Sequence, residues 1–331
     1  MKRAGNLFSA IADSDNLRLA FWKARKGKNH SRQVLQYRSD LEKNLNALRE
    51  EILGGTVEVG QYTFFKIFDP KERNICAAAF REQVLHHALM NVCHPYFERV
   101  QIFDSYASRK GKGTYAALDR AKEFTRRYRY FLKIDVRKFF ESIHHNVLKT
   151  QLGRLFKDEA VLKTLFGIID SYQAKPDRGV PIGNLTSQYF ANHYLSALDH
   201  FIKEQLRIKA YVRYMDDMVL WHDDKDVLKR ARGAIQTYLQ QEMKLELKPP
   251  LLNSCARGVP FLGYVVLPFN IRLSLRSRRR FVKKLRGLEE NYHTGKWSEA
   301  ACQRKILPLL AFTRHANTLA FRKSLETKRK Y

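Results

Sequence analysis

The chain has 331 residues and carries 61 Lys and Arg side chains against 33 Asp and Glu, a formal net charge of +28. With 44 % hydrophobic residues and only 9 prolines, the composition predicts a folded globular chain and excludes a disordered one. A charge excess this large repels itself in a compact fold. It therefore predicts a polyanionic partner, of which nucleic acid is the commonest.

A zinc site, a disulfide framework and a membrane span find little support in the sequence. None of the 4 cysteines forms a C-x-x-C pair, so neither a zinc ribbon nor a disulfide framework is predicted. The adjacent histidines at 86–87 and 144–145 point to different faces of a helix or strand and lack a spaced partner set. No apolar run approaches the roughly 18 residues of a membrane span. We expect a cytoplasmic protein that does not contact a membrane.

The N-terminal third contains helical and strand patterns. Residues 1–55 are predicted to be a basic helical extension, in which apolar residues recur at helical spacing from Leu41 to Ile52 before Gly54 and Gly55 stop the helix. Tyr62–Phe68 is predicted to be a strand, Asp69–Lys71 a turn and Arg81–Glu98 a helix.

The middle of the chain alternates short apolar strands with longer helices. Tyr130–Ile134 is predicted to be a strand that ends on Asp135. Asn184 can cap a helix that buries one face, made of Leu185, Phe190, Tyr194, Leu198, Phe201, Ile202 and Leu206. Two β-rich runs, Tyr211–Tyr214 and Met218–Trp221, flank a polar tip as in a hairpin. Phe261–Leu267 is predicted to be one further strand, and residues 271–331 a basic helical module.

This order of elements predicts an α+β fold. Strand, helix, hairpin, helix, strand is the order of a split βαβ-type antiparallel sheet with helices on one face. The second face of such a sheet stays uncovered and can support a nucleic-acid duplex.

Three aspartates stand where strands end. Asp216 and Asp217 form the hairpin tip, and Asp135 closes the strand before it. An isolated Asp-Asp pair is usually a solvated turn. Here the acids flank apolar strands in an acid-poor chain, and two carboxylates on neighbouring strands suit two Mg²⁺ ions about 3.5 to 4 Å apart.

The motifs resemble those of reverse transcriptases. Y-M-D-D at 214–217 is preceded by D-x-x-x-F-F, from Asp135 to Phe140. P-K-x-R at 70–73, S-Y-A-S-R-K-G-K-G-T at 105–114, a glycine-led segment at Gly183 and F-L-G-Y at 261–264 occur in the order that this family keeps. The resemblance covers most of the chain, and the first 55 and last 60 residues are weakly matched.

The resemblance implies a right-hand polymerase of fingers, palm and thumb. Residues 56–270 would form the fingers and palm, and 271–331 a basic helical thumb. The enzyme would be an RNA-directed DNA polymerase that uses dNTPs, a template RNA and its RNA:DNA hybrid, with two Mg²⁺ ions for which Mn²⁺ can substitute. Asp135, the backbone of Val136, and Asp216 would hold the metal, with Asp217 as an accessory catalytic carboxylate.

The family also implies a nucleotide site. Its predicted members are Lys71, Arg73, Phe140, Ile182, Gly183, Gln188 and Lys248. Lys71 and Arg73 would contact the triphosphate, Lys248 would protonate pyrophosphate, and the ring of Phe140 would exclude a ribose 2′-hydroxyl by volume. As alternatives, Phe140 is a core residue and the two strand-end cations are merely solvated.

A nucleic-acid interface is predicted from basic and motif residues. They are Arg109, Lys110, Lys112, Tyr214, Gly263, Arg276, Arg278, Arg279, Arg280, Lys283 and Lys284. Contacts to a hybrid backbone are blind to sequence and sensitive to salt. The basic loop at 109–112 could equally be a solvated loop.

The segment at 182–188 resembles one subgroup of reverse transcriptases more than the others. It has the form I-G-x-x-x-S-Q, whereas most reverse transcriptases have Q-G-x-x-x-S-P. The departures at Ile182 and Gln188 resemble enzymes of diversity-generating retroelements, which copy a template-repeat RNA with errors at adenines, together with a small basic, oligomeric accessory protein. The alternatives are a retron-like or group II intron-like reverse transcriptase and a maturase-like RNA-binding protein with a vestigial Y-M-D-D.

Overall fold

A computed structural model describes residues 3–68 and 72–327, with side chains to residue 325. The predicted turn at Asp69–Lys71 lies outside the described residues. Within them the helices are α1 Phe8–Ile11, α2 Ser14–Ala24, α3 Arg32–Ser39, α4 Leu41–Gly54, α5 Phe80–Arg99, α6 Thr114–Arg127, α7 Phe139–Ser142, α8 His145–Leu155, α9 Glu159–Asp170, α10 Leu185–His200, α11 Lys225–Gln241, α12 Leu275–His293, α13 Glu299–Arg314 and α14 Leu319–Thr327. The strands are β1 Tyr62–Ile67, β2 Arg73–Ala78, β3 Tyr130–Asp135, β4 Ala210–Tyr214, β5 Asp217–His222, β6 Leu251–Ser254, β7 Val259–Phe261, β8 Tyr264–Val266 and β9 Ile271–Leu273. None of the described helices combines the length and the apolar character needed to span a membrane.

Two compact units share the chain. The first unit combines Met1–Phe103, Val136–Phe201 and Ile235–Leu247. The second unit combines Asp104–Asp135, Ile202–Ala234 and Lys248–Tyr331. The boundaries predicted from the sequence for extension, fingers with palm, and thumb do not coincide with this division and stay a prediction.

The second unit contains a four-stranded antiparallel sheet in the order β4-β5-β3-β6. Its register places Asp135 of β3 opposite Asp217 of β5, and Tyr214 of β4 opposite the same Asp217. Side chains alternate along a strand, so Phe131, Lys133 and Asp135 share one face of β3. The buried end of that face belongs to a core formed with α6 and with β7, β8 and β9.

The predicted strands are found, with two corrections near the C-terminus. Phe261–Leu267 is wrong as one strand, because it is a hairpin whose turn residues Leu262 and Gly263 have φ of +51° and +86°. The basic helical module predicted from residue 271 begins instead with β9, which pairs with β8. Its helices follow from Leu275 onward.

The expected open face of the sheet is wrong for most of β3 and β5. Leu132, Ile134, Met218 and Leu220 are fully buried on one face, and Phe131, Val219 and Trp221 on the other face are buried in the core just described. Only the carboxylate end of that second face, with Lys133 and Asp135, is half-buried. Near-continuous apolar runs are typical of strands covered on both sides. The runs therefore indicated two buried faces.

The first unit is built around α10. This helix begins at Leu185 with Asn184 in the cap position, but no side-chain cap bond forms because the Asn184 side chain accepts the amide of Ala78 at 3.2 Å. The single buried face predicted for it is wrong. Polar residues on other faces, such as Asn192 and Asp199, are buried as well, since the helix packs against both α5 and α8.

Candidate active site

The carboxylate cluster consists of Asp135, Asp216 and Asp217, all in the second unit. Asp216 lies in a two-residue turn between β4 and β5, next to Met215, whose φ of +53° is rare for a residue with a side chain. The register brings Asp135 and Asp217 to directly opposed positions, where Cβ atoms are about 4.5 to 5.5 Å apart. The strand pairing thus brings Asp135 together with two carboxylates that lie 81 and 82 residues later in the sequence.

Burial and mutual repulsion act on these acids. Burial, followed by the negative charge of Asp135, raises the pKa of Asp216 to about 6. Burial also raises the pKa of Asp217, while the ammonium group of Lys133 opposes that shift. A cluster that resists ionisation in this way gains from a cation placed between its members.

Two lysines already partner the cluster. Lys248 donates to Asp135 Oδ1 at 2.5 Å, and its side chain is 41 % exposed. Lys133 lies 2.9 Å from Asp217 Oδ1, donates to the carbonyl oxygen of Pro260 at 2.8 Å, and is 21 % exposed. The Lys248–Asp135 pair therefore lies at the surface. The Lys133–Asp217 pair is half-buried, and Lys133 also hydrogen-bonds β7.

The sequence analysis did not identify Lys133 as a site residue. The sequence does contain an indication of its role, because Lys133 lies within the apolar strand YFLKI and a charge on a buried strand requires a partner. Its position two residues before Asp135 puts both on one face. Asp217 lies opposite Asp135 and therefore diagonally across from Lys133, and only this strand pairing brings the two side chains into contact. A hydrogen bond from the backbone of Leu262 to Asp217 also opposes the rise in the pKa of that carboxyl group.

The cluster has the donors for a divalent ion. Carboxylate oxygens are the ligands that Mg²⁺ prefers, and Asp135 and Asp216 lie close enough for their charges to interact. Val136 adds a backbone carbonyl next to Asp135. Val136 forms an antiparallel bridge with Leu247, and the hydrogen bonds of that bridge join the flanking residues: the Arg137 amide donates to Glu246, and the Lys248 amide donates to Asp135. In the described chain, no three His, Cys, Asp or Glu side chains form a preformed metal group. The two-Mg²⁺ site therefore stays a prediction.

Four residues predicted for the nucleotide site lie in the first unit and are called the nucleotide segment below: Phe140, Ile182, Gly183 and Gln188. The Phe140 ring is only half-buried, whereas the neighbouring Phe139 ring is buried in the core. Gln188 is exposed on the first turn of α10. Phe140 is therefore not a fully buried core residue, and its role as a gate stays a prediction.

Gly183 permits a close approach between the nucleotide segment and β2. Ile182 accepts a hydrogen bond from the amide of Cys76 at 2.8 Å. A Cβ atom at Gly183, whose φ is +126°, would lie 2.9 Å from Ile75 Cγ2 and 3.2 Å from the Cys76 carbonyl oxygen. Glycine is required here because the backbone packs on a strand.

The remaining nucleotide-site residues are less constrained. Arg73 is exposed at the first position of β2, and Lys71 lies outside the described residues. Lys248 contacts Asp135, as described above, which places it at the carboxylate cluster.

The predicted nucleic-acid residues separate into a loop, a turn and a helix face. Arg109 donates to the Ser105 carbonyl at 2.7 Å, the Lys112 ammonium lies 4.9 Å from the Tyr106 ring, and Lys110 is exposed. Contacts among residues 105–112 therefore hold the basic loop in its conformation.

The other members lie close to the hairpin strands and on α12. Tyr214 is half-buried and accepts from the hydroxyl of Thr114 at 3.3 Å. The carbonyl of Gly263 accepts from the Ser277 hydroxyl at 2.6 Å. The exposed or half-exposed cations on α12 are Arg276, Arg279, Arg280, Lys283 and Lys284. Arg278 differs, because its guanidinium lies 5.5 Å from the Phe321 ring.

The sequence pattern of the reverse transcriptase (RNA-dependent DNA polymerase) family matches residues 70–266, more than half of the chain. The chain belongs to this family.

Two curated proteins are similar to this chain in sequence. The putative COX1/OXI3 intron 1 protein of Saccharomyces cerevisiae is 21 % identical over 215 residues, covering 61 % of this chain and 26 % of that protein. Protein YkfC of Escherichia coli is 23 % identical over 285 residues, covering 71 % and 73 %. The chain spans about a quarter of the length of the yeast protein.

A solved structure supports the fold class. The telomerase of Candida albicans in complex with a TWJ fragment of telomeric RNA superimposes with a TM-score of 0.51 at 13 % identity, covering 72 % of this chain and 52 % of that one. The α+β right-hand polymerase fold, with its antiparallel sheets, is confirmed.

Proposed function

We propose that this reverse transcriptase is an RNA-directed DNA polymerase that copies a template-repeat RNA into adenine-mutagenic cDNA for a diversity-generating retroelement. The observation that carries the polymerase part is the strand register that opposes Asp135 and Asp217 beside Asp216. The retroelement part depends on Ile182 and Gln188, the two departures from the usual family motif.

The reaction joins a primer 3′-oxygen to the α-phosphorus of a dNTP. The new P–O bond forms as the bond from the α-phosphorus to the bridging oxygen breaks, and pyrophosphate leaves while the hydroxyl proton passes to solvent. Two Mg²⁺ ions, when bound, would favour the alkoxide form of the primer hydroxyl and neutralise phosphate charge. Asp135, Asp216 and the Val136 carbonyl are the proposed ligands, and Mn²⁺ offers the same oxygen preference.

The other side chains position the reactants. Lys133 holds Asp217 in place through its second bond to the Pro260 carbonyl. Arg73, and Lys71 before it, would neutralise the triphosphate, and Phe140 would fill the space of a 2′-hydroxyl. Lys248 is the proposed proton donor to pyrophosphate, a role that requires its ammonium group to leave Asp135.

Template RNA and the RNA:DNA hybrid would lie along the exposed cations of α12 and the loop at 109–112. Such contacts neutralise backbone phosphates and weaken with rising salt. A small basic accessory protein is the partner expected of a retroelement enzyme of this kind.

Primer extension on an RNA template tests the proposal, with Asp216→Asn as the inactive control. We expect cDNA with Mg²⁺ or Mn²⁺, and sequencing of that cDNA should show errors concentrated opposite template adenines. RNA binding without cDNA would indicate the maturase-like alternative. Accurate cDNA would indicate a retron-like or intron-type enzyme, which the likeness to the yeast intron protein favours as the second candidate.

A further inference from the structure

The hairpin formed by β7 and β8 contacts the carboxylate cluster, and both lie in the second unit. Lys133, which pairs with Asp217, also donates to the carbonyl oxygen of Pro260 in β7 at 2.8 Å. Leu262, the first residue of the hairpin turn, hydrogen-bonds Asp217 directly through its backbone. Of the contacts described for Asp217, one is therefore made by this hairpin and another is anchored to it.

The turn of the same hairpin is bonded to the start of α12. The carbonyl oxygen of Gly263 accepts from the Ser277 hydroxyl at 2.6 Å and from the Ser274 amide at 3.1 Å. Ser277 lies in the first turn of α12 and is 1 % exposed, so water does not compete for its bond. A Cβ atom at Gly263 would lie 3.0 Å from Ser277 Oγ, so the turn packs closely on the helix.

Ser274 caps α12 and also orients the Ser277 hydroxyl. Its side chain accepts from the Ser277 amide at 3.2 Å, which is the N-cap bond of the helix. Its hydroxyl donates to Ser277 Oγ at 3.0 Å, which leaves the hydrogen of the Ser277 hydroxyl for the Gly263 carbonyl. The cap does not require the Ser277 hydroxyl, so the bond from that hydroxyl to the turn has a different role.

The turn has a backbone conformation that is unusual for its sequence. Leu262 and Gly263 have φ of +51° and +86°, as in a two-residue hairpin turn with positive φ at both positions. Asparagine or glycine usually occupies the first of these positions, and a bulky residue there is a steric outlier. Such strain persists only where surrounding contacts hold the backbone, and it concentrates at functional sites. The bonds to Asp217 and Ser277 are contacts of that kind.

We propose that Ser277 is a positioning residue for the polymerase reaction, acting through the turn at Leu262 and Gly263 to hold Asp217 in place. Helix α12 also carries the cations proposed to bind the RNA:DNA hybrid, such as Arg279. A bound hybrid would hold this helix and the helix would hold the turn, so the cluster is best ordered when the substrate is present. The inference rests on the proposed polymerase function for its consequence in catalysis.

Single-nucleotide insertion on an annealed RNA:DNA substrate tests this role with Ser277→Ala and Ser277→Cys. We expect kcat to fall about three- to tenfold in Ser277→Ala, as for the loss of one buried hydrogen bond, while KM for dNTP and the Kd of the hybrid stay within about twofold of wild type. Ser277→Cys keeps a weak donor of similar size and should have an intermediate kcat. The cysteine variant also carries the test if the alanine variant does not fold.

Thr318→Val is the matched control for Ser277→Ala. Thr318 is 2 % exposed, and its hydroxyl donates to the carbonyl of Thr313 at 2.8 Å, so the variant removes a comparably buried hydroxyl-to-carbonyl bond among the C-terminal helices. Its kcat should stay within about twofold of wild type. An equal loss of kcat in both variants, or an unchanged kcat in Ser277→Ala, would overturn the proposal. A fall in kcat matched by an equal loss of hybrid affinity would also overturn it, since Ser277 would then support binding by α12 alone.

Hydrogen–deuterium exchange of the full chain provides a readout that does not depend on activity. Ser277→Ala should exchange faster than wild type at residues 214–218 and 259–266, whereas Thr318→Val should do so only in the C-terminal helices. Faster exchange of Ser277→Ala confined to α12 would overturn the proposal. If the wild-type chain makes no cDNA, the exchange comparison still decides whether Ser277 holds the turn and Asp217, so failure of the proposed function is recognised separately.

Discussion

The carboxylate cluster and the nucleotide segment are held in different ways. The cluster is fixed by strand register and by lysine pairs, of which Lys133 to Asp217 is half-buried and anchored to Pro260. The nucleotide segment presents half-exposed or exposed side chains on a backbone that packs against β2. Substitutions in the cluster should therefore affect whether the reaction occurs. Substitutions in the nucleotide segment should affect which nucleotide is used.

The largest effect is expected from Asp135→Asn or Asp216→Asn. Either change removes a charged oxygen ligand while the isosteric amide still packs, so cDNA synthesis should fall by about a thousandfold or more at unchanged fold. Primer extension with Mg²⁺, paired with thermal melting, measures both properties. Substantial cDNA from a well-folded variant would show that the chemistry lies elsewhere.

Lys133→Met should be the next most damaging change. It leaves Asp217 half-buried without its cation, and we expect kcat to fall by about ten- to a hundredfold while KM for dNTP changes little. Single-nucleotide insertion kinetics measure the two parameters. Lys133→Arg should restore part of the activity, because it keeps the charge.

Lys149→Met provides the matched control for Lys133. Lys149 is comparably buried and pairs with Asp170, outside the cluster. If both methionine variants lost the same activity, the role of Lys133 would be general stability and not the positioning of Asp217.

Phe140→Ala tests the nucleotide segment. Loss of the ring should open space for a 2′-hydroxyl and raise incorporation of rNTP relative to dNTP by about ten- to a hundredfold. Competition between the two nucleotides at one template position measures the ratio. Phe139→Leu is the control, since that ring is buried in the core, and an unaltered ratio in Phe140→Ala would make Phe140 a packing residue.

Ile182→Gln should change fidelity by a smaller amount. Glutamine can hydrogen-bond the nucleotide or its neighbours and penalise poorly placed pairs, so errors opposite template adenine should fall by about tenfold. Insertion of each dNTP opposite each base measures this, with Ile182→Leu as the apolar control. Equal adenine errors in both variants would place the source of infidelity elsewhere.

The smallest effect concerns stability and pH. The pKa of Asp216 is about 6 in the folded chain against an ordinary 3.8, so its ionisation destabilises the fold above pH 6, and this cost disappears as pH falls towards 4. Metal-free Asp216→Asn should therefore melt about 2 to 4 °C above wild type at pH 7.5, with the gap closing near pH 4.

Asp226→Asn is the control for Asp216→Asn, because the pKa of Asp226 is shifted in the opposite direction. The pKa of Asp226 is lowered by its hydrogen bond to Lys229, so its charged form favours folding at neutral pH. Removing that charge should leave the melting temperature unchanged or slightly lower. An Asp216→Asn variant that melted below wild type at pH 7.5 would contradict the repulsion inferred within the cluster.

The sequence alone predicted the elements that depend on local pattern. The strand Tyr130–Asp135 and the hairpin around Met215 follow from short apolar runs, and the helix after Asn184 begins where predicted. Local pattern failed where the backbone turns within an apolar run. The turn at Leu262 and Gly263 divides one predicted strand into two, because φ above zero at both positions reverses the chain.

Motif order and residue chemistry in the sequence determined the family and the three candidate carboxylates, and they predicted a polyanionic partner, since these properties belong to the residues themselves. Only the tertiary structure decided which groups meet. Lys133 pairs with Asp217, 84 positions later in the sequence, Gly183 packs on β2, and the Arg178 guanidinium donates to the carbonyl of Lys244. Such pairings depend on how distant segments align and pack, and spacing along the chain carries no record of that alignment.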